Sequence, residues 1–330
     1  MRKNYSFSLV QKEPALENLL RPKNLCEFVG QKKIIERLDI ILKAAKERKE
    51  ALDHILFCGP PGLGKTTLAL ILSTEENVEI KMVSAPTLQK TGDLVGILTS
   101  LSERSILFID EIHRLSPSLE EVLYSVMEDL SISIVTGKGP SARIIKFKLP
   151  PITIVGATTR PGLLSHPLRD RFGFIANFDY YNEEELVEIL LRSQKILDLN
   201  LSEEVLLEIA KRSRGTPRIA NRLLKRVRDY IQVMDINNLS IDKVKEILNF
   251  LGIDYKGLDE LDRKILKAIR DNFKGGPVGI KNLAEFLNES PETIEVMYEP
   301  YLLRIGFIQR TPRGRIITPL GLTHLMEADS

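Results

Sequence analysis

Residues 59 to 67 read Gly59-Pro60-Pro61-Gly62-Leu63-Gly64-Lys65-Thr66-Thr67 and lie between two apolar segments, Ile55–Cys58 and Leu68–Leu72. An apolar strand, a glycine-rich loop ending in Lys-Thr and a helix together form a phosphate-binding loop. Gly62 and Gly64 let backbone N–H groups turn towards a phosphate, and the helix adds the positive end of its dipole. We therefore predict a nucleotide site in which Lys65 reaches the β- and γ-phosphates, Thr66 holds Mg²⁺ and Thr67 lies beside it.

A second apolar run, residues 105–109, ends in Asp110 and Glu111. Such a run is typical of a buried parallel strand, and ligands of open α/β sheets bind at the carboxyl ends of the strands. Asp110 is therefore a candidate for the Mg²⁺ shell, and Glu111 for polarising the attacking water. The alternative is a solvated Asp-Glu turn.

A third run, residues 152–157, ends in Thr158 and Thr159. Because three strands now deliver polar side chains to one edge, Thr159, or alternatively Thr158, is a candidate for hydrogen bonding the γ-phosphate or the water. Thr is also a common residue at the start of a helix, so Thr159 could cap one instead.

The segment Leu168-Arg169-Asp170-Arg171-Phe172-Gly173 carries two arginines. A guanidinium suits the spread charge of a transferring phosphoryl group, and a neighbouring subunit can supply it. Arg171 is the candidate for such a finger. Arg169 and Arg171 could equally be surface charges paired with Asp170.

These segments, together with Gly156-Ala157-Thr158-Thr159-Arg160 and Arg214-Gly215-Thr216-Pro217-Arg218, resemble the AAA+ ATPases. Their detailed sequence is most similar to the RuvB family, the motors of Holliday junction branch migration. The resemblance runs from about residue 16 to the C-terminus. It implies ATP with Mg²⁺ as cofactors, a homo-hexameric ring, double-stranded DNA at Holliday junctions, a RuvA-type junction-binding partner and a RuvC-type resolvase as a further partner.

The resemblance also implies roles for further residues near the nucleotide. Leu20 and Arg21 would contact the base or sugar, Tyr181 would lie at the domain junction, and Arg218 would touch the phosphates as the sensor-2 arginine. A family segment near the nucleotide is matched by Glu128, Asp129 and Leu130.

Composition places limits on the class of protein. The chain has 330 residues, 43% hydrophobic and 28% charged, so two or three domains of an ordinary globular protein are expected. No apolar run approaches the ~20 residues of a membrane span, and we expect a cytoplasmic protein without a membrane partner. Two cysteines and four scattered histidines argue against a disulfide framework or a zinc site.

Three domains are predicted: a large α/β ATPase domain with a parallel sheet over residues 1–181, an all-helical lid over 182–253 and a winged helix over 254–330. Asn182 and Glu185 form a capping box that opens the lid. A basic run over residues 211–228 contains eight Lys or Arg and no acid, and for most of it a solvated helix face is favoured.

Within the large domain, residues 131–149 alternate around a Gly-rich turn and predict a β-hairpin or a sheet extension. In RuvB-like proteins this hairpin docks RuvA, for which Ile132, Ile134, Ile144 and Phe147 would suit.

The C-terminal segment predicts three helices followed by a basic hairpin. Its third helix carries Glu292, Glu295 and Glu299, which would repel phosphate, so the wing is expected to contact DNA. Arg310 and Arg315 are the first candidates and Arg313, at the tip, is the next; they would position DNA without reading its sequence. Ordinary surface charge on the wing is the alternative.

The resulting hypothesis is an ATP-hydrolysing DNA translocase. A clamp-loader-like or replication-initiation AAA+ protein would share every nucleotide motif, but would end in a helical collar rather than a basic wing. A nucleotide-switched DNA-binding regulator with little turnover is a second rival, against which Glu111 and Arg171 argue.

Overall fold

The computed structural model describes residues 17–136, 143–236 and 238–329, and their side chains except those of residues 134–136, 143, 144, 328 and 329. Contacts within the chain divide it into two compact units, one ending at Ile196 and the other beginning at Leu197. No helix in the described ranges is long and apolar enough to cross a membrane.

The first unit is built on a parallel sheet. Its elements in chain order are α1 (Lys32–Arg48), β1 (Ile55–Cys58), α2 (Lys65–Glu76), β2 (Ile80–Ser84), α3 (Thr91–Thr99), β3 (Ile106–Asp110), α4 (Pro117–Asp129), β4 (Ser131–Thr136), β5 (Arg143–Lys148), β6 (Thr153–Thr158), α5 (His166–Asp170), β7 (Phe174–Asn177) and α6 (Glu183–Ile196). Five strands pair in the order β2-β3-β6-β1-β7, and every pairing is parallel. The predicted α/β core is therefore confirmed.

The sheet forms because its strands can be buried on both faces. β1 and β6 are buried along their whole length, and β3 is buried up to Asp110, the first residue at which the strand meets polar surroundings. Leu107, Ile109 and Ile154 belong to the main apolar cluster of this unit. Parallel order places the carboxyl ends of β1, β3 and β6 along the same edge.

The predicted hairpin is confirmed as an antiparallel pair of β4 and β5, which form their own two-stranded sheet. The sheet-extension alternative is therefore wrong, and the Gly-rich turn lies outside the described residues. Pairing of Ile132 with Phe147 and of Ile134 with Ile145 puts these four residues on one face. Ile144 pairs with Val135, and its part in a contact surface stays a prediction.

Ile132 does not belong to an exposed contact surface, so naming it there was wrong. Its side chain is 1% exposed and packs into the main apolar cluster of the first unit. Among the hairpin side chains that the structure describes, Ile145 and Phe147 are the exposed large apolar ones, at 43% and 44%. Our sequence interpretation named Phe147 and missed Ile145.

The second unit is helical except for one small hairpin. Its elements are α7 (Glu203–Lys211), α8 (Pro217–Met234), α9 (Ile241–Phe250), α10 (Glu260–Lys267), α11 (Ile280–Leu287), α12 (Pro291–Arg304, with a π-helical middle), β8 (Ile308–Thr311), β9 (Gly314–Ile317) and α13 (Pro319–Asp329). Helices α10, α11 and α12 and the β8–β9 wing agree with the predicted winged helix. The sequence interpretation missed the C-terminal helix α13.

The capping box predicted at Asn182 and Glu185 is confirmed. The Glu185 N–H donates to Asn182 Oδ1 at 2.8 Å, and the Asn182 N–H donates to Glu185 Oε2 at 3.0 Å. Helix α6, which this box opens, lies by its contacts in the first unit, where Arg192 donates to the carbonyl oxygens of Leu20 at 3.0 Å and Glu27 at 2.7 Å. The domain limits stay predictions.

Candidate nucleotide site and DNA-binding wing

The phosphate loop joins β1 to α2, and Lys65 is the first residue of α2. Gly62 and Gly64 have φ of 83° and 101°, which only glycine adopts without strain. A Cβ on Gly64 would lie 3.0 Å from the Phe28 ring. The Lys65 ammonium donates to the carbonyl oxygens of Gly59 at 2.7 Å and Pro60 at 2.8 Å, so it lies across the loop where an anion would bind. Loop shape, cation and helix start together suit a phosphate chain.

Tyr181 closes one side of this loop. Its hydroxyl donates to the carbonyl oxygen of Leu63 at 3.1 Å, and burial raises the pKa of the phenol. A Cβ on Gly30 would meet the Tyr181 ring at 2.6 Å, so the segment after Phe28 packs directly on it. The Gln31 side chain donates to the carbonyl oxygen of Asp179 at 2.6 Å and accepts from the Asp179 N–H at 3.1 Å. Phe28 and Tyr181 therefore flank the phosphate loop. Of the two residues expected near the base or sugar, Leu20 is buried and Arg21 is partly exposed.

Asp110 and Glu111 lie at the sheet edge next to the loop. Asp110 Oδ1 accepts a hydrogen bond from the Glu111 N–H at 3.0 Å. Glu111 has φ of 51°, so the chain leaves the direction of β3 at this residue through a left-handed backbone conformation. Its side chain is 34% exposed, so water can reach it. The role of Glu111 in polarising the attacking water stays a prediction.

One hydroxyl and one imidazole contact the Glu111 carboxylate. Thr159 Oγ1 donates to Glu111 Oε2 at 3.3 Å, and His113 Nδ1 lies 3.4 Å from the same oxygen. Thr158 Oγ1 lies 3.0 Å from His113 Nδ1, so it contacts Glu111 only through the imidazole. Ser165, not Thr159, caps α5. Sequence reasoning assigned no role to His113, although it stands two residues after Glu111.

Arg171 does not pair with Asp170. Its guanidinium lies 2.6 Å from Glu128 Oε1 and donates to the carbonyl oxygen of Pro167 at 2.6 Å, while its Cζ lies 4.7 Å from the centre of the Tyr124 ring. Arg169 is exposed.

The segment Glu128–Leu130 forms the end of α4 and its cap. Glu128 holds Arg171, and Asp129 Oδ2 lies 3.3 Å from Lys146 Nζ on the hairpin. In this chain the segment is thus joined to the finger candidate.

The second unit carries Arg218, which is exposed at the start of α8. The basic run around it is not a solvated face throughout, and that interpretation was wrong for two residues. Arg212 and Arg214 are 3% and 7% exposed and are bonded to acidic side chains.

The wing arginines have different environments. Arg310 and Arg315 both donate two hydrogen bonds to the Glu299 carboxylate, at 2.7 to 3.0 Å. The Glu299 side chain is 1% exposed, and the two guanidinium groups hold its pKa below the usual range against the effect of burial. Counting Glu299 among acids that repel DNA was therefore wrong. Arg310 remains 51% exposed and Arg315 only 14%, whereas Arg313 is exposed in the turn between β8 and β9.

A parallel sheet with this phosphate loop, a Glu held by a Thr at the next strand end, a helical lid segment and a winged helix define the class of AAA+ P-loop ATPases with a DNA-binding C-terminal domain. Comparison with known families identifies the member. Residues 20–178 match the Holliday junction DNA helicase RuvB P-loop domain, residues 181–254 the RuvB AAA lid domain and residues 255–326 the RuvB C-terminal winged helix domain. The chain belongs to the RuvB family.

Individual relatives agree with this assignment. The chain is 56% identical to the Holliday junction branch migration complex subunit RuvB of Clostridium kluyveri over 308 residues, which are 93% of this chain and 88% of the relative. The solved structure of the Thermotoga maritima RuvB Holliday junction branch migration motor matches with a TM-score of 0.85 and 49% identity, over 93% of this chain and 98% of that one. An alanine-to-serine mutant of the same protein gives a TM-score of 0.87 with the same identity and coverage.

Proposed function

We propose that this chain is an ATP-driven DNA translocase that moves Holliday junctions by branch migration. The observation that carries the proposal is the arrangement of Lys65, Glu111 and Thr159 at one sheet edge, in a chain whose C-terminal domain is a winged helix of the RuvB family. The nucleotide loop supplies binding, and Glu111 supplies the group that a simple nucleotide switch does not need.

For ATP hydrolysis, Lys65 and the backbone N–H groups at the start of α2 bind the phosphates, and Thr67 lies in the same first turn. Thr66 and Asp110 would hold Mg²⁺, which would neutralise phosphate charge. Glu111 polarises the water that attacks the γ-phosphate. Thr159 keeps the Glu111 carboxylate aimed through the hydrogen bond at 3.3 Å and reports the γ-phosphate to it.

Leu20, Arg21 and Tyr181 enclose the base and sugar, and Arg218 touches the phosphates from the lid. Arg171 acts on the nucleotide site of a neighbouring subunit. Glu128, Asp129 and Leu130 lie beside it at the same contact between subunits. A ring follows from an arginine supplied by a neighbour, because a ring gives every site a neighbour. The number of six subunits rests only on the likeness to the RuvB family.

DNA binding is assigned to the wing. Arg310 and Arg313 face solvent and can bind phosphate oxygens; Arg315 supports Arg310 by sharing Glu299 and contacts DNA at the exposed part of its side chain. Contacts of arginine to phosphate are independent of base sequence, as a motor that moves along any DNA requires.

A RuvA-type junction-binding protein is the proposed partner of the hairpin, through Ile145 and Phe147. A RuvC-type resolvase is a further possible partner at the junction. Since the proposed substrate is DNA, the proposed location is the cytoplasm.

The experiment is migration of a synthetic four-way DNA junction in the presence of ATP, with and without a RuvA-type partner. The matched control is Glu111→Gln, which should bind ATP but not migrate the junction. Migration that requires ATP and fails with the variant supports the proposal. ATP turnover that is indifferent to DNA, with no migration in the presence of the partner, would refute it and favour a regulator or loader.

A further inference from the structure

Arg214 occupies the loop between α7 and α8, four residues before Arg218. Its φ is 54°, and the next residue, Gly215, has φ of 68°, so two left-handed residues reverse the chain here. A non-glycine residue is rarely held in this conformation unless its side chain has strong contacts. The Arg214 side chain is 8% exposed.

The Arg214 side chain contacts the winged-helix side of the second unit. Its Nε donates to the carbonyl oxygen of Gly257 at 2.7 Å, and its Nη2 lies 2.5 Å from Asp262 Oδ2 and 3.1 Å from Asp259 Oδ2. Its Cζ lies 5.2 Å from the centre of the Tyr301 ring. A residue of the lid thus bonds to the linker that joins α9 to α10, residues 252–257, and to the first turn of α10, and it stacks on Tyr301 of α12.

The two carboxylates that bind Arg214 are held in place by the first turn of α10. Asp259 accepts from the Asp262 N–H at 3.1 Å, and Asp262 Oδ2 accepts from the Asp259 N–H at 2.9 Å, which is a complete capping box. Asp262 is fully buried. Arg214 therefore ends on a carboxylate that cannot move without unwinding the helix start.

Backbone contacts reinforce the same junction. A Cβ on Gly257 would lie 2.6 Å from the Arg212 carbonyl oxygen, so linker and loop touch without space for a side chain. Arg212 donates to the carbonyl oxygen of Ile253 at 2.9 Å, and the Tyr301 hydroxyl donates to that of Lys256 at 2.5 Å. The linker is therefore held by the loop on one side and by α12 on the other.

We propose that Arg214 is a coupling residue that makes the loop before Arg218 and the winged helix move as one body, so that a change sensed at the nucleotide by Arg218 is delivered to the DNA-binding domain. The physical reason is that separating the two sides would leave the Arg214 guanidinium and the Asp262 carboxylate buried without partners, and buried charges tolerate this poorly. The functional half of the inference rests on the proposed role of Arg218. The mechanical half does not.

The mechanical half is tested by spin labels on the full chain. Val233→Cys and Met297→Cys, at positions 79% and 62% exposed, place one label on the lid and one on the winged helix. Cys26, which is exposed, is replaced by Ser, and the buried Cys58 is kept. Arg214→Met removes the guanidinium, and Arg226→Met is the matched control because it removes a 56% exposed arginine of the same basic run.

We expect a narrow distance distribution in the parent chain, with or without a non-hydrolysable ATP analogue. Arg214→Met should at least double its width, and Arg226→Met should leave it unchanged. A distribution for Arg214→Met that superimposes on the parent overturns the proposal. Should that variant not fold, Asp259→Asn keeps the helix cap and removes one acceptor. Partial broadening then supports the proposal, and an unchanged width overturns it.

The functional half is tested by the number of junction steps per ATP hydrolysed. We expect Arg214→Met to lower this ratio about tenfold, and Arg226→Met to preserve it. Equal loss of migration and ATP turnover would instead assign Arg214 a purely structural role and overturn the coupling. A parent chain that migrates no junction would refute the proposed function, yet would leave the spin-label result valid.

Discussion

The Arg171 guanidinium lies 2.6 Å from the Glu128 carboxylate of its own chain, and the Tyr124 ring supports it at 4.7 Å. The Tyr124 hydroxyl is fixed in turn by Ser165 at 2.9 Å and Glu120 at 2.7 Å. α4 and α5 thus present the finger candidate in a set orientation, with an exposed carboxylate as its partner. A nucleotide phosphate in a neighbouring subunit carries more charge than Glu128 and can replace it.

Mixing two inactive variants should restore ATP turnover if Arg171 acts between subunits. Arg171→Ala lacks the finger and should lose about 10³-fold or more in turnover, while Glu111→Gln lacks the water-activating group. In a mixed ring, the Glu111 of one subunit meets the Arg171 of its neighbour. An equimolar mixture should therefore recover up to about a quarter of the parent's turnover. A mixture as inactive as its components would show that Arg171 serves its own subunit or none.

Thr159→Val should slow ATP hydrolysis about tenfold by removing the hydroxyl that orients Glu111, and should leave ATP affinity near the parent value. Thr159→Ser is the matched control, since it keeps the hydroxyl. Turnover rates and nucleotide dissociation constants for the two variants provide the measurement. Equal turnover of the Val and Ser variants would remove the hydrogen bond from the mechanism.

On the wing, the main effect of Arg313→Ala should be on DNA binding and the main effect of Arg315→Ala on stability. Arg313 is exposed in the turn, so its loss should weaken DNA binding for all sequences and reduce the slope of log K against log salt by about 0.9 per phosphate contact. Arg315 is 14% exposed and bonded to buried Glu299, so its loss should cost roughly 1–3 kcal/mol of stability. Salt-dependent DNA titrations and thermal unfolding distinguish the two. An Arg313→Ala variant with an unchanged salt slope would exclude that residue from DNA contact.

The sequence was sufficient wherever the signal is local. The phosphate loop, the capping box at Asn182 and the turn between β8 and β9 each depend on a few neighbouring residues whose backbone preferences agree with the fold. The alternation of residues 131–149 predicted a hairpin for the same reason. The assignment of the family required no tertiary contact either, because the motif spacings carry it.

What the sequence did not reveal depends on partners far along the chain. Arg214 finds Asp262 across 48 residues, and Arg310 and Arg315 find Glu299 across 11 and 16 residues. Before folding, each of these charges is indistinguishable from a solvated one. The burial of Ile132 likewise depends on which face of the hairpin meets the sheet, and alternation alone does not choose a face.

Asp262 and Glu299, two buried acids of the same domain, should give opposite dependences of stability on pH. Burial raises the pKa of the Asp262 carboxyl to about 7 from 3.8, with Arg214 opposing the rise and Asp259 adding to it. Tyr298 and Tyr301 also face this group. The folded state then binds a proton that the unfolded state has released, so stability from this group falls as pH rises from about 4 to about 7, by at most roughly 1.4 kcal/mol per pH unit.

Glu299 has the other sign, because Arg310 and Arg315 lower its pKa from 4.5 although burial opposes them. Its contribution is complete above about 4.5 and is lost only as pH falls through the lower folded value. Between pH 5 and 8, the melting temperature of the parent relative to that of Asp262→Asn should therefore fall with rising pH. Over the same range, the melting temperature of the parent should exceed that of Glu299→Gln by a constant margin. Asp259→Asn, which keeps the cap, should weaken the Asp262 slope. Plots of melting temperature against pH that run parallel for the parent and Asp262→Asn would contradict this prediction. They would show that Arg214 fully compensates the buried Asp262 carboxylate and that the pKa of Asp262 is not raised.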